Sequence, residues 1–272
     1  MTEHNLNGQA FRLRYPAVMG ILNVTPDSFS DGGLHLEVGE AVDRVGQMLE
    51  EGAQFIDVGG ESTRPGSDPV SADEELRRIL PVIEALPSDE CVISVDTTKA
   101  EVAQAALKAG AHVVNDISGG ADPTLFDLAE RHQAGYVLMH AQGSPKTMQN
   151  APAYDDVVRE VFAFFDEQAK RLAERNLPKV WMDPGIGFGK TLEHNLALMQ
   201  NLGDLRDDRW GILLGASRKS WIDHLCGAPN LEHRLGGSLT AAIEAVRQGT
   251  EIIRAHDVRE TVQALEVMEQ FS

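Results

Sequence analysis

The chain has 272 residues, of which 42% are hydrophobic, and it carries a formal net charge of −18 at pH 7. This length allows one large α/β domain or two small ones, and the composition is typical of a soluble globular protein with a sizeable core. The acidic balance argues against a general nucleic-acid or anionic-membrane binder, so any anionic substrate needs a local cluster of Arg, Lys or His.

Short apolar or β-branched runs that end in polar residues recur along the chain. Most are nearly continuous apolar runs, which is typical of parallel strands buried on both faces. In chain order the eight predicted strands are AVMGILN (17–23), FIDVG (55–59), CVISVD (91–96), HVVND (112–116), YVLMH (136–140), VWMD (180–183), GILLGAS (211–217) and EIIRAH (251–256).

Segments with helical spacing of apolar residues separate these strands. Ser71 or Asp73 is a candidate cap for the second segment, and Pro81 is expected to interrupt and kink it. The predicted helices cover 38–51, 71–86, 99–109, 122–132, 154–175, 192–202, 234–249 and 257–271.

Eight strands that alternate with eight helices predict one α/β domain over 1–272, a single (β/α)8 TIM barrel with its core at about 17–270. An open, doubly wound sheet is the alternative. Such a sheet usually has fewer strands and more often carries a glycine motif for dinucleotides.

The stretch WMDPGIGFGKT (181–191) comes close to two nucleotide-binding motifs. A P-loop would need glycine where Pro184 stands, and the dinucleotide motif would need it where Lys190 stands. Both motifs require a backbone without Cβ at fixed positions, so a shift of one residue spoils the geometry. We therefore reject both and ask what the glycines and Asp183 do instead.

The active site of such a barrel lies at the C-terminal ends of its strands, and here nearly every strand ends in a polar group. Asp96, Asn115 and Asp183 offer acceptors and one amide, which suits a flat heterocycle rich in N–H donors. Lys219 and Arg254 would compensate the carboxylates, and a guanidinium can stack on a ring.

A small anion site is predicted where the barrel closes. Arg254, His256 and Asn23 end the eighth and first predicted strands, which become neighbours there. Phosphate sites in these barrels are often built from loops near this point. The residues thus indicate an aromatic heterocycle that carries a phosphate or diphosphate.

Several polar residues have two interpretations. Asp57 stands inside its strand and either supports the site or only completes a buried network. His140 is expected to form structural hydrogen bonds, and Asp116 to point to the face opposite Asn115. Lys190 contacts either solvent or its own loop.

The sequence also predicts a compartment. Cys91 and Cys226 have no metal-type spacing, which favours reduced thiols. No apolar run approaches the ~20 residues of a membrane helix, and the first residues lack the apolar core of a secretory signal. We therefore expect a cytoplasmic protein.

The strand ends belong to longer strings that resemble the motifs of the dihydropteroate synthase family, from about Val18 to Val262. No departure is visible at a motif position whose side chain matters in that family. The strings are NVTPDSFSDGG (23–33), DVGGESTRPG (57–66), SVDTTK (94–99), NDI (115–117), MHAQGSPKTMQ (139–149), DPGIGFGKT (183–191), SRKS (217–220) and IRAHDV (253–258).

The resemblance implies a transferase of folate biosynthesis that is a target of sulfonamides. Its reaction joins 6-hydroxymethyl-7,8-dihydropterin diphosphate to para-aminobenzoate, giving 7,8-dihydropteroate and pyrophosphate with Mg²⁺. It also implies that the diphosphate leaves first, and that the barrel forms a homodimer with small molecules as its other partners.

The resemblance further implies a role for each site residue. Asp96, Asn115 and Asp183 hold the pterin edge, Lys219 donates to its ring, and Ile117 and Met139 form an apolar wall. Arg254 stacks on the ring and contacts the diphosphate with His256, and Asn23 binds the metal. The catalytic set is Asp96, Asp183, Lys219, Arg254 and His256, and the aminobenzoate site consists of Thr63, Arg64, Pro65, Phe188 and Ser220.

Two alternatives remain. A pterin-binding methyltransferase barrel shares the Asp and Asn residues but needs a corrinoid partner and no equivalent of SRKS or TPDSFSDGG. An inert barrel kept as a binding subunit is expected to have lost a charged site residue, and none is lost here.

Overall fold

Eight parallel strands close into a barrel, which confirms the predicted fold. The computed structural model describes residues 1–25, 34–62, 68–143, 148 and 152–271. Each strand pairs with the next along the chain, and the last pairs with the first. The barrel strands are β3 (Ala17–Asn23), β4 (Phe55–Gly59), β5 (Val92–Asp96), β6 (Val113–Asp116), β7 (Gly135–Met139), β8 (Val180–Asp183), β9 (Gly211–Leu214) and β10 (Ile252–Ala255).

The predicted strands agree with these bounds, with the largest difference at the end of β9. There the chain turns after Leu214, and the Lys219 amide donates to the Ala216 carbonyl, so 215–217 leave the sheet. The predicted series missed an N-terminal hairpin of β1 (Thr2–Leu6) and β2 (Gln9–Leu13). Its turn is Asn7-Gly8, both with positive φ, which is a standard short hairpin signal.

Helices cover the outside of the barrel, and between the two layers lies the larger apolar core. Ser71 caps the second helix by accepting from the Glu74 amide, and the helix continues through Pro81 without the predicted interruption. Within the described residues the α-helices are α1 (Leu34–Glu50), α2 (Ala72–Ala85), α3 (Ala100–Ala109), α4 (Thr124–His132), α5 (Val157–Ala173), α6 (Leu192–Gln200), α7 (Ser220–Cys226), α8 (Leu235–Arg247) and α9 (Val258–Glu269).

The helix α7 was not predicted, because a seven-residue helix with only Trp221 and Ile222 buried has too short an apolar period. Two short 3₁₀ segments, Leu202–Leu205 and Leu231–Arg234, complete the elements of the described residues. None of the helices in the described part is both long and apolar enough to cross a membrane.

The barrel interior changes from apolar to polar along the strands. At its base, Trp181 and Phe55 pack with inward residues of the other strands and with Leu6 and Phe11 of the hairpin. Residues two positions further along a strand face the same side. The next inward level is therefore Ile21, Asp57, Ser94, Asn115, Met139, Asp183, Gly215 and Arg254. The polar side chains of this level lie toward the C-terminal ends of the strands, which is where the sequence predicts the active site.

Candidate active site

Arg254 joins two buried carboxylates at the centre of the barrel mouth. Its Nε donates to Oδ2 of Asp57 at 2.6 Å, and its Nη2 donates to Oδ2 of Asp96 at 3.0 Å. The same Asp57 oxygen accepts from Nδ2 of Asn115 at 2.9 Å. One oxygen thus ties β4, β6 and β10 together, and the guanidinium is held in one orientation.

Three oxygens beside this cluster are buried and have no hydrogen-bond partner among the described residues. They are Oδ1 of Asp57, Oγ of Ser94 and Oδ1 of Asp96. Asp57 and Ser94 are direct register partners on β4 and β5, and Asp96 lies one inward level above Ser94. Buried polar atoms are nearly always paired, so a group of unpaired oxygens on adjacent strands indicates a donor-rich ligand.

Burial, followed by the neighbouring Asp57 carboxylate, raises the pKa of Asp96 to about 7, while Arg254 acts to lower it. Near neutral pH this carboxyl therefore exists in both protonation states. The ionised form accepts a hydrogen bond from a ligand, and the protonated form reduces the negative charge at the floor of the site.

Asp183 and Lys219 form the opposite side of the mouth. Oδ1 of Asp183 accepts from the Gly185 amide at 2.7 Å, and Lys219 donates to the carbonyl of Ile186 at 2.5 Å. The Lys219 ammonium also lies 4.4 Å from the centre of the Phe188 ring. Burial raises the pKa of Asp183. Burial also lowers the pKa of Lys219 to about 8, although the nearby Asp183 carboxylate acts in the opposite direction.

His256 follows Arg254 by two residues and so turns toward the same mouth. Oγ of Ser217 contacts Nδ1 of His256 at 3.1 Å and accepts from its backbone amide at 3.2 Å. Ser217 ends the seventh predicted strand, where the sequence predicts a polar group at the mouth but assigns this residue no specific role. Arg218 leaves the mouth and pairs with Asp257.

The glycine loop after β8 is not a phosphate cradle. Three of its amides already have acceptors: Gly185 donates to Asp183, Gly187 to Oδ1 of Asn195, and Phe188 to the Gly185 carbonyl. Gly185 has a φ of 67°, and a Cβ there would overlap the carbonyl oxygen of His140. The glycines thus allow a tight turn that brings Phe188 beside Lys219, which answers the question raised by the sequence.

The structure places Asp57, Asp116 and Lys190, whose roles the sequence only suggested. Asp57 contacts two predicted site residues, so it supports the site. Asp116 points outward and accepts from the Ser118 and Gly120 amides and from the Tyr136 hydroxyl, as expected. Lys190 is buried and contacts His140 and its own loop, so the solvent interpretation was wrong.

The remaining predicted residues divide into two groups. Met139 is buried at the inward end of β7, Ile117 and Phe188 are half-buried, and Ser220 is exposed at the start of α7. Thr63, Arg64 and Pro65 lie outside the described residues, as do positions 26–33 of the TPDSFSDGG string. Ser94 was missed, although its position two residues before Asp96 placed it on the same face.

The donors at the mouth do not form a metal cage. Among the described residues no group of three or more His, Cys, Asp or Glu side chains is arranged to hold a metal ion. Asn23 ends β3 on the inward face. Its Oδ1 lies close to the end of β4, since a Cβ built on Gly59 would be 3.9 Å from it. One amide oxygen fits a cation that takes most of its ligands from phosphate and water, as Mg²⁺ does.

Comparisons with known proteins agree with the geometry. A family model described as pterin binding enzyme matches residues 19–256. The dihydropteroate synthase of Escherichia coli (strain K12) is 49% identical over 265 residues, which is 96% of this chain and 94% of the relative. These similarities extend along nearly the whole chain.

Two solved structures are similar in fold and sequence. The Yersinia pestis dihydropteroate synthase with a sulfonamide drug complex has a TM-score of 0.90 and 43% identity, and the match covers 99% of both chains. The Xanthomonas albilineans dihydropteroate synthase in complex with 7,8-dihydropteroate has a TM-score of 0.88 and 39% identity, with 99% of this chain and 98% of that chain covered.

Proposed function

This chain belongs to the pterin-binding enzyme family, and on that premise we propose that it carries out the dihydropteroate synthase reaction. It is a transferase that joins 6-hydroxymethyl-7,8-dihydropterin diphosphate to para-aminobenzoate in folate biosynthesis. The products are 7,8-dihydropteroate and pyrophosphate. Relatives with this name cover nearly the whole chain, and one similar structure contains 7,8-dihydropteroate. A sulfonamide bound to another supports the same drug class as an inhibitor here.

The observation that carries this proposal is the group of unpaired buried oxygens beside Arg254. The amino-pyrimidinone edge of a pterin is a row of N–H donors, so it matches acceptors that have no partner in the described part of the chain. Oδ1 of Asp96 is such an acceptor, and Asp183 stands across the mouth from it. We assign the edge of the ring to Asp96, Asn115 and Asp183.

The other pterin contacts follow from position. Arg254 is held between Asp57 and Asp96, where its planar guanidinium is available to stack on the ring. Lys219 lies between Asp183 and Phe188, so it reaches the ring from the rim. Met139 and Ile117 supply the apolar wall on the β6 and β7 side.

We assign the diphosphate to the side of the mouth where β10 meets β3. Arg254 and His256 provide the positive charge, and the Ser217 hydroxyl orients the imidazole. Asn23 would hold Mg²⁺ together with diphosphate oxygens, and the ion would supply charge stabilisation for the leaving group. Thr63, Arg64, Pro65, Phe188 and Ser220 are assigned to para-aminobenzoate.

The chemistry favours departure of diphosphate before the new bond forms. The aminobenzoate nitrogen is a poor nucleophile because its lone pair is delocalised into the ring. The C–O bond of the pterin methylene therefore breaks first, its electron pair leaves with the diphosphate, and the cation spreads into the electron-rich dihydropterin. Asp96 and Asp183 stabilise that positive charge. The amine then forms the C–N bond and releases a proton.

The direct test is pyrophosphate release from the pterin diphosphate with Mg²⁺, with and without para-aminobenzoate. Release together with dihydropteroate is the expected result, and release without aminobenzoate supports departure of the diphosphate first. Lys219→Met should abolish turnover, whereas Lys108→Met, on the exposed face of α3, should not. Pterin binding with no release under either condition would contradict the assignment and favour an inert barrel.

Two further properties are proposals from the family resemblance. We place the protein in the cytoplasm and expect it to function as a homodimer. Sedimentation of the purified chain tests the second.

A further inference from the structure

Lys190 is a buried lysine whose ammonium group is surrounded by acceptors. The residue is only 3% exposed. Nζ lies 3.0 Å from Nδ1 of His140, 3.0 Å from the Phe188 carbonyl, 3.1 Å from the Gly185 carbonyl and 3.3 Å from the His140 carbonyl. Four acceptors around one ammonium satisfy all three of its donors.

This arrangement differs from an ordinary ion pair. No carboxylate among the described residues lies within ion-pair distance of Lys190. Burying an ammonium is unfavourable, and burial lowers the pKa of Lys190 to about 7. Three backbone carbonyls replace part of the hydration that the group loses. Burial, followed by the charge of Lys190, lowers the pKa of His140 to about 3, so the imidazole stays neutral and its Nδ1 accepts from the lysine.

The acceptors all belong to the glycine loop or to the end of β7. The loop is also tied from other sides: Tyr154 donates to the Gly189 carbonyl at 2.9 Å, and Oδ1 of Asn195 accepts from the Gly187 amide at 2.7 Å. Lys190 differs from Tyr154 and Asn195 because it contacts two carbonyls of the loop, those of Gly185 and Phe188, and also His140 at the end of β7. It therefore connects the loop to that strand.

We propose that Lys190 is a positioning residue that holds Phe188 in the aminobenzoate site by fixing the glycine loop to the end of β7. The proposal rests on the function proposed above. Lys190 itself does not touch the substrates. It acts because the carbonyl of Phe188 is one of its acceptors, which fixes the backbone that carries the ring.

The chemistry explains why lysine is needed at this position. Methionine has a similar length but no donor, so it would leave the Gly185 and Phe188 carbonyls buried without partners. Arginine keeps the charge, but its planar fork does not match acceptors placed on several sides of one atom.

The test compares Lys190→Met with the surface control Lys108→Met. In Lys190→Met the KM for para-aminobenzoate should rise at least about tenfold, while the affinity for the pterin diphosphate changes less than about twofold. Amide hydrogen exchange should become faster in a peptide that covers 184–191 and stay unchanged in β5. Lys108→Met should match the wild type in all three measurements.

Tyr154→Phe provides a milder second variant, in case Lys190→Met does not fold. It removes one hydrogen bond from the same loop and should raise the same KM by a smaller factor. Equal losses for both substrates, or an unchanged KM with unchanged exchange at 184–191, would overturn the proposal. The exchange measurement needs no turnover, so it separates this failure from a failure of the proposed function.

Discussion

Nε of Arg254 donates to Oδ2 of Asp57 at 2.6 Å, and this ion pair connects β10 to β4 across the strand β3 that lies between them. Asp57 is 1% exposed, so neither charge is well solvated. The attraction within such a buried pair adds little net stability. Removing one partner is strongly destabilising, because it leaves the other charge buried and uncompensated. The geometry of the mouth therefore depends on a residue that the substrate need not touch.

Replacing Asp57 by alanine should weaken both the fold and the site. Arg254 keeps Asp96 as a partner, but Asn115 loses its acceptor, and we expect a loss of about 3 kcal/mol in the free energy of unfolding. The value of kcat/KM should fall by roughly a hundredfold, because a freed guanidinium no longer holds one orientation. Urea unfolding and steady-state kinetics measure the two effects. Normal stability would mean that the pair is dispensable.

Adjacent residues on β6 should behave in opposite ways. Asn115 faces the mouth, so Asn115→Ala should weaken binding of a pterin analogue by about tenfold or more. Asp116 faces the helix layer and accepts three hydrogen bonds, so Asp116→Asn should lower stability while kcat/KM of the folded fraction stays unchanged. Calorimetric titration and thermal unfolding distinguish them. Reversed results would mean that the inward face of β6 is wrongly assigned.

The barrel was predictable because each buried strand is a short apolar run followed by a polar end. The inward direction of Asp96, Asn115, Asp183 and Arg254 also follows from the two-residue period of a strand. What the sequence left open was partner choice. Whether Asp57 reaches the site depends on the register of β4 against β5, which brings Ser94 beside it.

Two other features depended on long-range contacts. Lys190 looks like any exposed loop lysine, because its acceptors include His140, 50 residues earlier in the chain. The hairpin at the base was signalled by Asn7-Gly8, but its partners lie far along the chain. The side-chain amide of Asn7 donates to the carbonyls of Leu107, in the last turn of α3, and of Ala111, just after that helix. The hydrophobic periodicity and the composition of the sequence do not indicate such long-range pairings.

Gly185 tests the geometry of the loop after β8, and Gly46, in α1, serves as its control. Gly185→Ala places a methyl group against the His140 carbonyl at a positive φ, so we expect a loss of about 1–3 kcal/mol in stability and a large loss of turnover. Gly46→Ala is the matched control. Gly46 lies in α1, and no atom of the described residues lies within 4 Å of the Cβ that alanine would add. This change should therefore stabilise the protein by about 0.5–1 kcal/mol. Thermal unfolding of both variants measures the contrast, and similar shifts would contradict it.

Stability should depend on pH through Asp96. Burial, followed by the Asp57 carboxylate, raises the pKa of Asp96 from 3.8 to about 7. A carboxyl whose pKa is raised on folding stabilises the folded state most below its unfolded pKa, and this contribution is lost as the pH rises to the folded pKa. Asp96→Asn removes the titration. Relative to the wild type, the variant should therefore become more stable as the pH rises from about 4 to about 7, by an amount on the order of a few kcal/mol.

Urea unfolding of both proteins at about pH 5 and about pH 8 measures this difference. Asp183 is the other carboxyl at the mouth whose pKa is raised. It is present in both proteins, so its contribution to the pH dependence cancels to first order when they are compared. A difference that does not change with pH would mean that Arg254 keeps Asp96 ionised throughout this range. In that case pterin binding should be insensitive to pH near 7. If Asp96 titrates as expected, binding should strengthen as the pH rises through about 7, because the ionised carboxylate is the better acceptor.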